Sequence, residues 1–415
     1  MKNKNLNLKY MDPKQIKYSY PLLEKGLSKA DLQKGINVLK TGFITMNKHT
    51  EKFEKEFAKK VKAKFALMVN SGSSANLLAA FASCNPLRKN KFKRGDHALI
   101  PALCWSTSLW PLVQTGLKTK FIDIDPQTLN VDADHLISKI TKKTKVIMLI
   151  NVLGISTDIK KIIKFAKKKN IIVIEDNCEA LGAKLDQKYL GTLADFGTYS
   201  FFYSHQITSG EGGMIVCNNR EDYEILLALR SHGWSRGKSI YKKNAKKYPD
   251  LDPRYIFINS GFNLRPTDIQ AAIGRNQFKR LDFFKKNRTM NKKKIIDSLK
   301  KDKRWKEQFK FVEYSKRIEP SYMVLPILLN KKFFNKKKQF IELIEKKGLE
   351  TRPIISGSFV NQPSAKLYNL NPNKEKFIGA QIVQDLGFVI GLSTQMIDKK
   401  KLKFVTNTLF SIDSF

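Results

Sequence analysis

Hydrophobic positions change rhythm along the chain, and each rhythm predicts an element. Phe53, Phe57 and Val61 recur four apart among charged residues, which predicts an amphipathic helix over 51–62. Another helix is expected at 30–40, whereas residues 1–30, broken by Pro13 and Pro21, read as a loosely structured arm. Continuous apolar runs follow at 65–69, 98–100, 120–124, 146–150 and 171–174. Val/Ile-rich runs without alternation are strands buried on both faces, as in a mostly parallel sheet. Helical segments fall between them, in the LLAAFA run, over 105–113 and near 158–168. Strand and helix in alternation predict the α/β class.

Helical periods return at 222–230 and 267–278, separated by a long polar connection over 237–254. A connection of that length reads as a functional loop or a lid. From about residue 281 the pattern shifts to lysine-rich amphipathic helices and weak strands, of which 321–329 is the best. The chain therefore divides into an arm (1–30), a large α/β domain (31–280) and a smaller α+β domain (281–415).

Composition narrows the class. With 415 residues, 42% hydrophobic and 11% aromatic, the chain can bury a sizeable core in two or three domains. Its 77 basic residues against 37 acidic give a net charge of +40, which raises the question of nucleic acid. The lysines are spread between apolar periods, however, and no nucleic-acid-binding signature accompanies them. The charge reads as a surface-wide bias that also attracts an anionic substrate such as a nucleotide diphosphate; nucleic acid is not the expected partner. Cys84, Cys104, Cys178 and Cys217 are far apart and form no C-x-x-C, which fits buried free thiols in a reducing cytoplasm. The basic N-terminus has no apolar core behind it, so it is not a signal peptide. Residues 98–117 carry few charges, but Pro101, Pro111 and many hydroxyls argue against a membrane span. A soluble cytoplasmic protein is expected.

Candidate chemistry gathers in a few polar stretches. Gly72, Ser73 and Ser74 sit between a strand and a helix, a turn that aims backbone N–H groups at an anion. The same residues also suit a serine N-cap with nothing bound. Asp176 and Glu179 lie just past a buried strand, where open α/β sheets build sites, although either acid in isolation reads more readily as a solvated strand end or N-cap. In TYSFFYSHQITSGEGGMI (198–215) an apolar alternation (Tyr199, Phe201, Tyr203) enters a polar turn and leaves through Gly212-Gly213. Ser200 and His205 stand at that hinge. Arg352, in TRPIISG, is either an anion clamp or a surface arginine.

These motifs, in the order SGSSAN, CWST, IDIDPQTLNVD, EDNCEALGA, SFFYSHQITSGEGG, RSHGW, GFNLRP and TRPIISG, resemble the sugar aminotransferase family typified by DegT, DnrJ and StrS. The resemblance runs from TGFITMNKHTEKFEKEFA at 41–58 to the C-terminal domain. It implies a fold-type I, pyridoxal-phosphate-dependent aminotransferase architecture, with a large mostly parallel-sheet domain, a small α+β domain and a homodimer with shared active sites. It further implies that Gly72, Ser73, Ser74 and Ser200 hold the cofactor phosphate and that Trp105 stacks on the ring. Asp176 would face the ring nitrogen, Glu179 its other polar edge, and Asn263 would come from the neighbouring subunit.

The family carries a lysine where this chain has His205. Imidazole cannot make the lysine's covalent link, yet with an ordinary pKa of about 6.5 it can act as a general base. The exchange resembles the branch of pyridoxamine-phosphate sugar 3-dehydratases acting on GDP-4-keto-6-deoxy-D-mannose, in deoxysugar and O-antigen biosynthesis. That branch implies L-glutamate as amino donor, ammonia as product, and both pyridoxal and pyridoxamine phosphate as cofactor forms. His232, Arg236 and Arg352 then become candidates for the glutamate carboxylates or the sugar diphosphate. A related branch carries an iron–sulfur cluster on cysteines clustered after the histidine loop. Cys217 alone follows residue 205 here, so no iron–sulfur centre and no metal are expected. Two other readings stay open: a nucleotide-sugar aminotransferase that uses His205, and an inactive cofactor-binding relative, against which intact Asp176, Ser200 and Asn263 argue.

Overall fold

The computed structural model describes residues 18–24, 26–235 and 238–415. Helix α1 (Lys29–Leu39) begins with a capping box, in which Ser28 and Asp31 exchange side-chain and backbone bonds. Helix α2 (Lys48–Val61) buries Phe53, Phe57 and Val61 as their spacing requires. It starts earlier than expected because Asp268, from a distant helix, accepts the N–H groups of Asn47, His49 and Thr50. A remote carboxylate thus satisfies the orphan donors of the first turn.

The alternation predicted from the apolar runs follows. It comprises β1 (Phe65–Val69), α3 (Gly72–Ser83), β2 (His97–Pro101), α4 (Ser106–Gln114), β3 (Lys118–Ile122), α5 (Ala133–Ser138), β4 (Thr144–Ile150), α6 (Ile159–Lys168) and β5 (Ile172–Asp176). Strand β3 lies two residues before its expected position because Asp123 leaves the sheet to accept the N–H groups of Gly379 and Ala380. The short β6 (Lys184–Leu185) and β7 (Lys188–Tyr189) precede β8 (Phe196–Ser200) and β9 (Gly213–Cys217). Next come α7 (Arg220–Arg230), α8 (Lys238–Lys247), α9 (Asp268–Phe278) and the long α10 (Leu281–Lys301).

Seven of these strands form one sheet in the order β1-β9-β8-β5-β4-β2-β3. From β8 to β3 every pairing is parallel, while β9 runs antiparallel to both β8 and β1. The class is α/β with a mostly parallel sheet, and β5 is buried along its whole length. Parallel strands present their carboxyl ends together, which is where such sheets carry sites.

Beyond α10, β10 (Phe309–Phe311), β12 (Val324–Leu329), β13 (Thr351–Arg352) and β14 (Gly387–Gly391) make an antiparallel sheet in the order β10-β12-β14-β13. The small strand β11 (Ile318–Glu319) joins β6 and β7 instead. The expected strand at 321–329 begins only at Val324, because Ser321 donates its hydroxyl to Leu181 O at 2.6 Å.

Two expectations need correction. Residues 238–254 are not an irregular loop: helix α8 and a single turn at Pro253–Tyr255 occupy most of the segment. Lysine-rich and without an apolar stripe, α8 gives no helical period to read. The N-terminal arm is also tied down where it is described. Tyr20 is buried, bridges Leu349 and donates its hydroxyl to Gly391 O at 3.1 Å. Residues 1–17 lie outside the described part of the chain. Among the described residues no helix is long and apolar enough to cross a membrane.

Candidate active site

Strand β5 ends in two adjacent carboxylates whose side chains leave on opposite faces, as the pleat dictates. Glu175 is fully buried and accepts three backbone N–H groups, from Gly191 at 2.7 Å and from Leu193 and Ala194 at 2.9 Å. Burial still pushes its pKa up to about 7. Asp176, also buried, accepts Asn76 Nδ2 at 2.8 Å, Ser108 Oγ at 2.7 Å and Cys178 N at 3.0 Å. Thr198 Oγ1 donates to Asn76 Oδ1 at 2.6 Å, which turns the amide N–H of Asn76 toward Asp176. Among the described residues no ion pair includes Asp176.

Opposite this carboxylate stands the N-terminus of α3. Ser71 caps it by accepting Ser74 N at 3.1 Å, and the N–H groups of Gly72 and Ser73 have no acceptor within the helix. Glycine is required at 72 by close approach: a Cβ there would lie 2.6 Å from Ser200 Cβ and 2.7 Å from Cys178 Sγ. Gly213 answers the same constraint from β9, since its Cβ would fall 2.3 Å from Ser71 O. The helix start, Ser200 and Cys178 are therefore packed directly against one another. Ser73 Oγ pairs with Thr107 Oγ1 at 2.8 Å, joining α3 to the start of α4, and Ser74 is buried beneath.

Ser200 closes β8 and accepts Phe202 N at 3.2 Å. The chain then leaves the sheet and returns through Gly212, whose carbonyl accepts Phe201 N at 2.8 Å. His205 sits on this excursion, with its ring edge-on to Phe202 and its backbone N–H on Phe202 O. Its Nδ1 is buried without a hydrogen-bond partner among the described residues. Burial lowers the imidazole pKa to about 4; the carbonyls of Ser200 and Cys178 and the Asp176 carboxylate pull the other way, while Arg288 adds to the lowering. The ring is thus a neutral base at neutral pH.

Trp105 is the N-cap residue of α4, and its indole is 57% exposed at the rim. Behind it, Ser356 Oγ donates to Cys104 O at 2.7 Å, seating the turn that follows Arg352. Arg352 itself is exposed and pairs with Glu350 at 2.8 Å. Glu179 accepts Leu153 N at 3.1 Å, and desolvation raises its pKa to about 7. His232, in a left-handed conformation (φ 62°), lies 3.3 Å from Arg265 Nη2, and Arg265 Nε donates to the exposed Asn263 at 3.0 Å. Leu264 O accepts Asn70 N at 3.1 Å, so this second cluster borders the start of α3. Arg236 lies outside the described residues.

One cluster thus collects Gly72, Ser73, Ser200, Asp176 and His205, while Arg352, His232 and Asn263 lie outside it. Sequence reasoning missed Asn76, Ser108, Thr198 and Arg288. Asn76 did carry a signal, being a polar residue inside the small apolar stretch that forms the buried face of α3. The chemistry on offer is an anion cradle of helix N–H groups, a buried carboxylate lacking a cation, and a neutral imidazole. A flat, anionic molecule with a basic ring nitrogen would satisfy the first two together.

A model of the DegT/DnrJ/EryC1/StrS aminotransferase family matches residues 26–402. The GDP-4-keto-6-deoxy-D-mannose 3-dehydratase of Yersinia pseudotuberculosis is 35% identical over 357 residues, covering 84% of this chain and 87% of that protein. The solved Escherichia coli GDP-4-keto-6-deoxy-D-mannose-3-dehydratase with bound hydrated PLP superposes with a TM-score of 0.82 at 30% identity, covering 94% of this chain and 99% of that one. A GDP-4-keto-6-deoxymannose-3-dehydratase with a trapped PLP-glutamate geminal diamine gives a TM-score of 0.80 at 31% identity, over 94% of this chain and 100% of the other.

Proposed function

The chain belongs to the DegT/DnrJ/EryC1/StrS aminotransferase family, and from that premise we propose that it is a pyridoxal-phosphate-dependent nucleotide-sugar 3-dehydratase. Its substrate on this reading is GDP-4-keto-6-deoxy-D-mannose, with L-glutamate as amino donor. Substrate and glutamate yield the 4-keto-3,6-dideoxy sugar, 2-oxoglutarate and ammonia. The relatives described above support substrate and cofactor; the observation that carries the assignment to this chain is the buried Asp176 carboxylate without a cation.

The residues fit pyridoxal phosphate on the structure's own terms. A buried carboxylate held by neutral donors alone is costly unless a positive group faces it, and a protonated pyridine nitrogen is such a group. The N–H groups of Gly72 and Ser73 with the Ser200 hydroxyl suit the phosphate, and the exposed Trp105 indole suits the ring face. When bound, the protonated ring supplies an electron sink. Asp176 keeps that nitrogen protonated, and Asn76 and Ser108 keep Asp176 aimed. His205, neutral because it is buried, accepts a proton on its imidazole and returns it to the departing C3 hydroxyl. Having no amine, it forms no covalent bond to the cofactor, which noncovalent contacts alone retain.

A homodimer with Asn263 reaching the neighbouring site completes the reading. Exposed Leu32, Ile36, Leu39, Phe43 and Ile44, on α1 and just after it, support such an interface. His232, Arg236 and Arg352 remain the candidates for binding carboxylate or diphosphate.

The test is to incubate the protein with pyridoxal phosphate, L-glutamate and GDP-4-keto-6-deoxymannose, then weigh the nucleotide sugar and quantify ammonia. Loss of the C3 hydroxyl with ammonia release is expected, and His205→Asn should abolish it. An amino sugar as product would make the enzyme a transaminase despite its histidine. Undiminished dehydration by His205→Asn would remove His205 from the mechanism.

A further inference from the structure

Arg288, on the inner face of α10, is the largest fully buried side chain among the described residues. A guanidinium in that position normally meets a carboxylate, because an unpaired buried charge is strongly unfavourable. Arg288 meets only carbonyls: Nη1 donates to Gln206 O at 2.9 Å, Nη2 to His205 O at 3.2 Å and Nε to Leu392 O at 3.2 Å. Two of its three acceptors are therefore the backbone of the histidine loop. The third is the residue after β14. Neighbours on the same helix hold the same segment, Asn287 on Thr394 O at 2.8 Å and Asn291 on Ser393 O and Gln395 O at 3.1 and 2.7 Å. Those two amides already tie α10 to residues 393–395 without any charge. The charge is thus not needed for that tie, and its remaining acceptors are the carbonyls of His205 and Gln206. Gln206 is held from its other side, its side-chain amide donating to Glu179 O and to Ser321 O.

We propose that Arg288 is a positioning residue for His205, fixing the loop backbone through the two carbonyls and setting an uncompensated positive charge beside the ring, against the Asp176 carboxylate. The proposal rests on the assignment of His205 as the base. Titratable groups facing the ring are Asp176 and Cys178 from the end of β5 and Arg288 from α10. Asp176 favours the imidazolium, and Arg288 opposes it. Burial holds the Cys178 thiol well above its ordinary range, so it stays neutral. Without Arg288, burial alone opposes Asp176 at the ring.

With only five histidines in the chain, nitrogen-labelled histidine NMR can follow His205 directly, its signal identified by loss in His205→Asn. Titrations are run on the intact protein with and without pyridoxal phosphate, beside kcat and KM at each pH. In Arg288→Gln the His205 midpoint should rise by about one pH unit, and the acid limb of kcat should rise with it. Arg288→Lys keeps the charge and loses the fork, so the midpoint should stay while kcat falls about tenfold at unchanged KM. Asn291→Ala loosens the link to 393–395 and should move neither the midpoint nor the acid limb. An unmoved midpoint in folded Arg288→Gln, or an equal shift in Asn291→Ala, overturns the proposal. If Arg288→Gln does not fold, wild-type kcat in Arg288→Lys overturns it. These outcomes concern Arg288 alone, because the assignment of His205 fails separately, on retained dehydration by His205→Asn.

Discussion

Glu175 and Asp176 are neighbours on one strand, equally buried and of the same chemistry, yet their surroundings differ in kind. Glu175 points into a turn of the chain that supplies three backbone N–H groups, with the Asn151 side chain a lesser donor beside them. Backbone donors close that cage, so the residue stitches the segment at 191–194 to the sheet. Asp176 is held by two side chains and one N–H, from three separate elements, and stands opposite a helix N-terminus. Burial therefore does not distinguish a structural acid from a functional one; the identity of the donors does. Backbone donors make a carboxylate part of the fold, whereas side-chain donors from converging elements hold it out to a ligand.

Mutation of each acid should separate the two roles. The largest effect on rate is expected for Asp176→Asn, with kcat falling at least about a hundredfold. The melting temperature of the cofactor-free protein should hold or rise, because an uncompensated buried charge has been removed; a fall in both would make Asp176 structural as well. Glu175→Gln should do the reverse, losing roughly 2–3 kcal/mol of stability as backbone donors lose an acceptor, with kcat per folded molecule changed only a few-fold. A smaller effect concerns pH. The folded-state pKa of Glu175 is raised to about 7, so the folded protein binds more protons than the unfolded chain. Its contribution is complete below the unfolded value of about 4.5 and is lost as pH rises through about 7. Thermal melts of the cofactor-free protein should show that decline, shared with Glu179, and Glu175→Gln should flatten it. The smallest effect is expected for Ser108→Ala, which strips one bond from Asp176 and should weaken cofactor binding about five-fold, measured by fluorescence titration.

The sheet was legible in the sequence because parallel strands buried on both faces leave unbroken apolar runs, as at 146–150 and in β5. Glycine and serine at 72–74 and the acids at the end of β5 were legible for a related reason: a turn and a strand end are local. Asn76 and Ser108 meet Asp176 across 100 and 68 residues of sequence, and Arg288 meets Gln206 across 82. No spacing rule spans such separations. Helix α8 escaped for the opposite reason, being local but lacking the stripe of apolar side chains that would announce a helix. The start of α2 escaped because Asp268, which caps it, is contributed by another helix.

The place of β9 in the sheet has a consequence for how the protein is made. Strand β1 has one partner in the sheet, and that partner is β9, which in turn separates it from β8. On the ribosome, β1 emerges about 150 residues ahead of its mate, a wait on the order of ten seconds at ordinary synthesis rates. Throughout that interval β1 has no partner strand, and an apolar edge lies open to other chains. Arrival of β9 seats β1, packs Gly213 against Ser71 and draws the histidine loop into place together. Nascent chains released before residue 217 should therefore be captured by chaperones or aggregate, and those released after it should become protease-resistant.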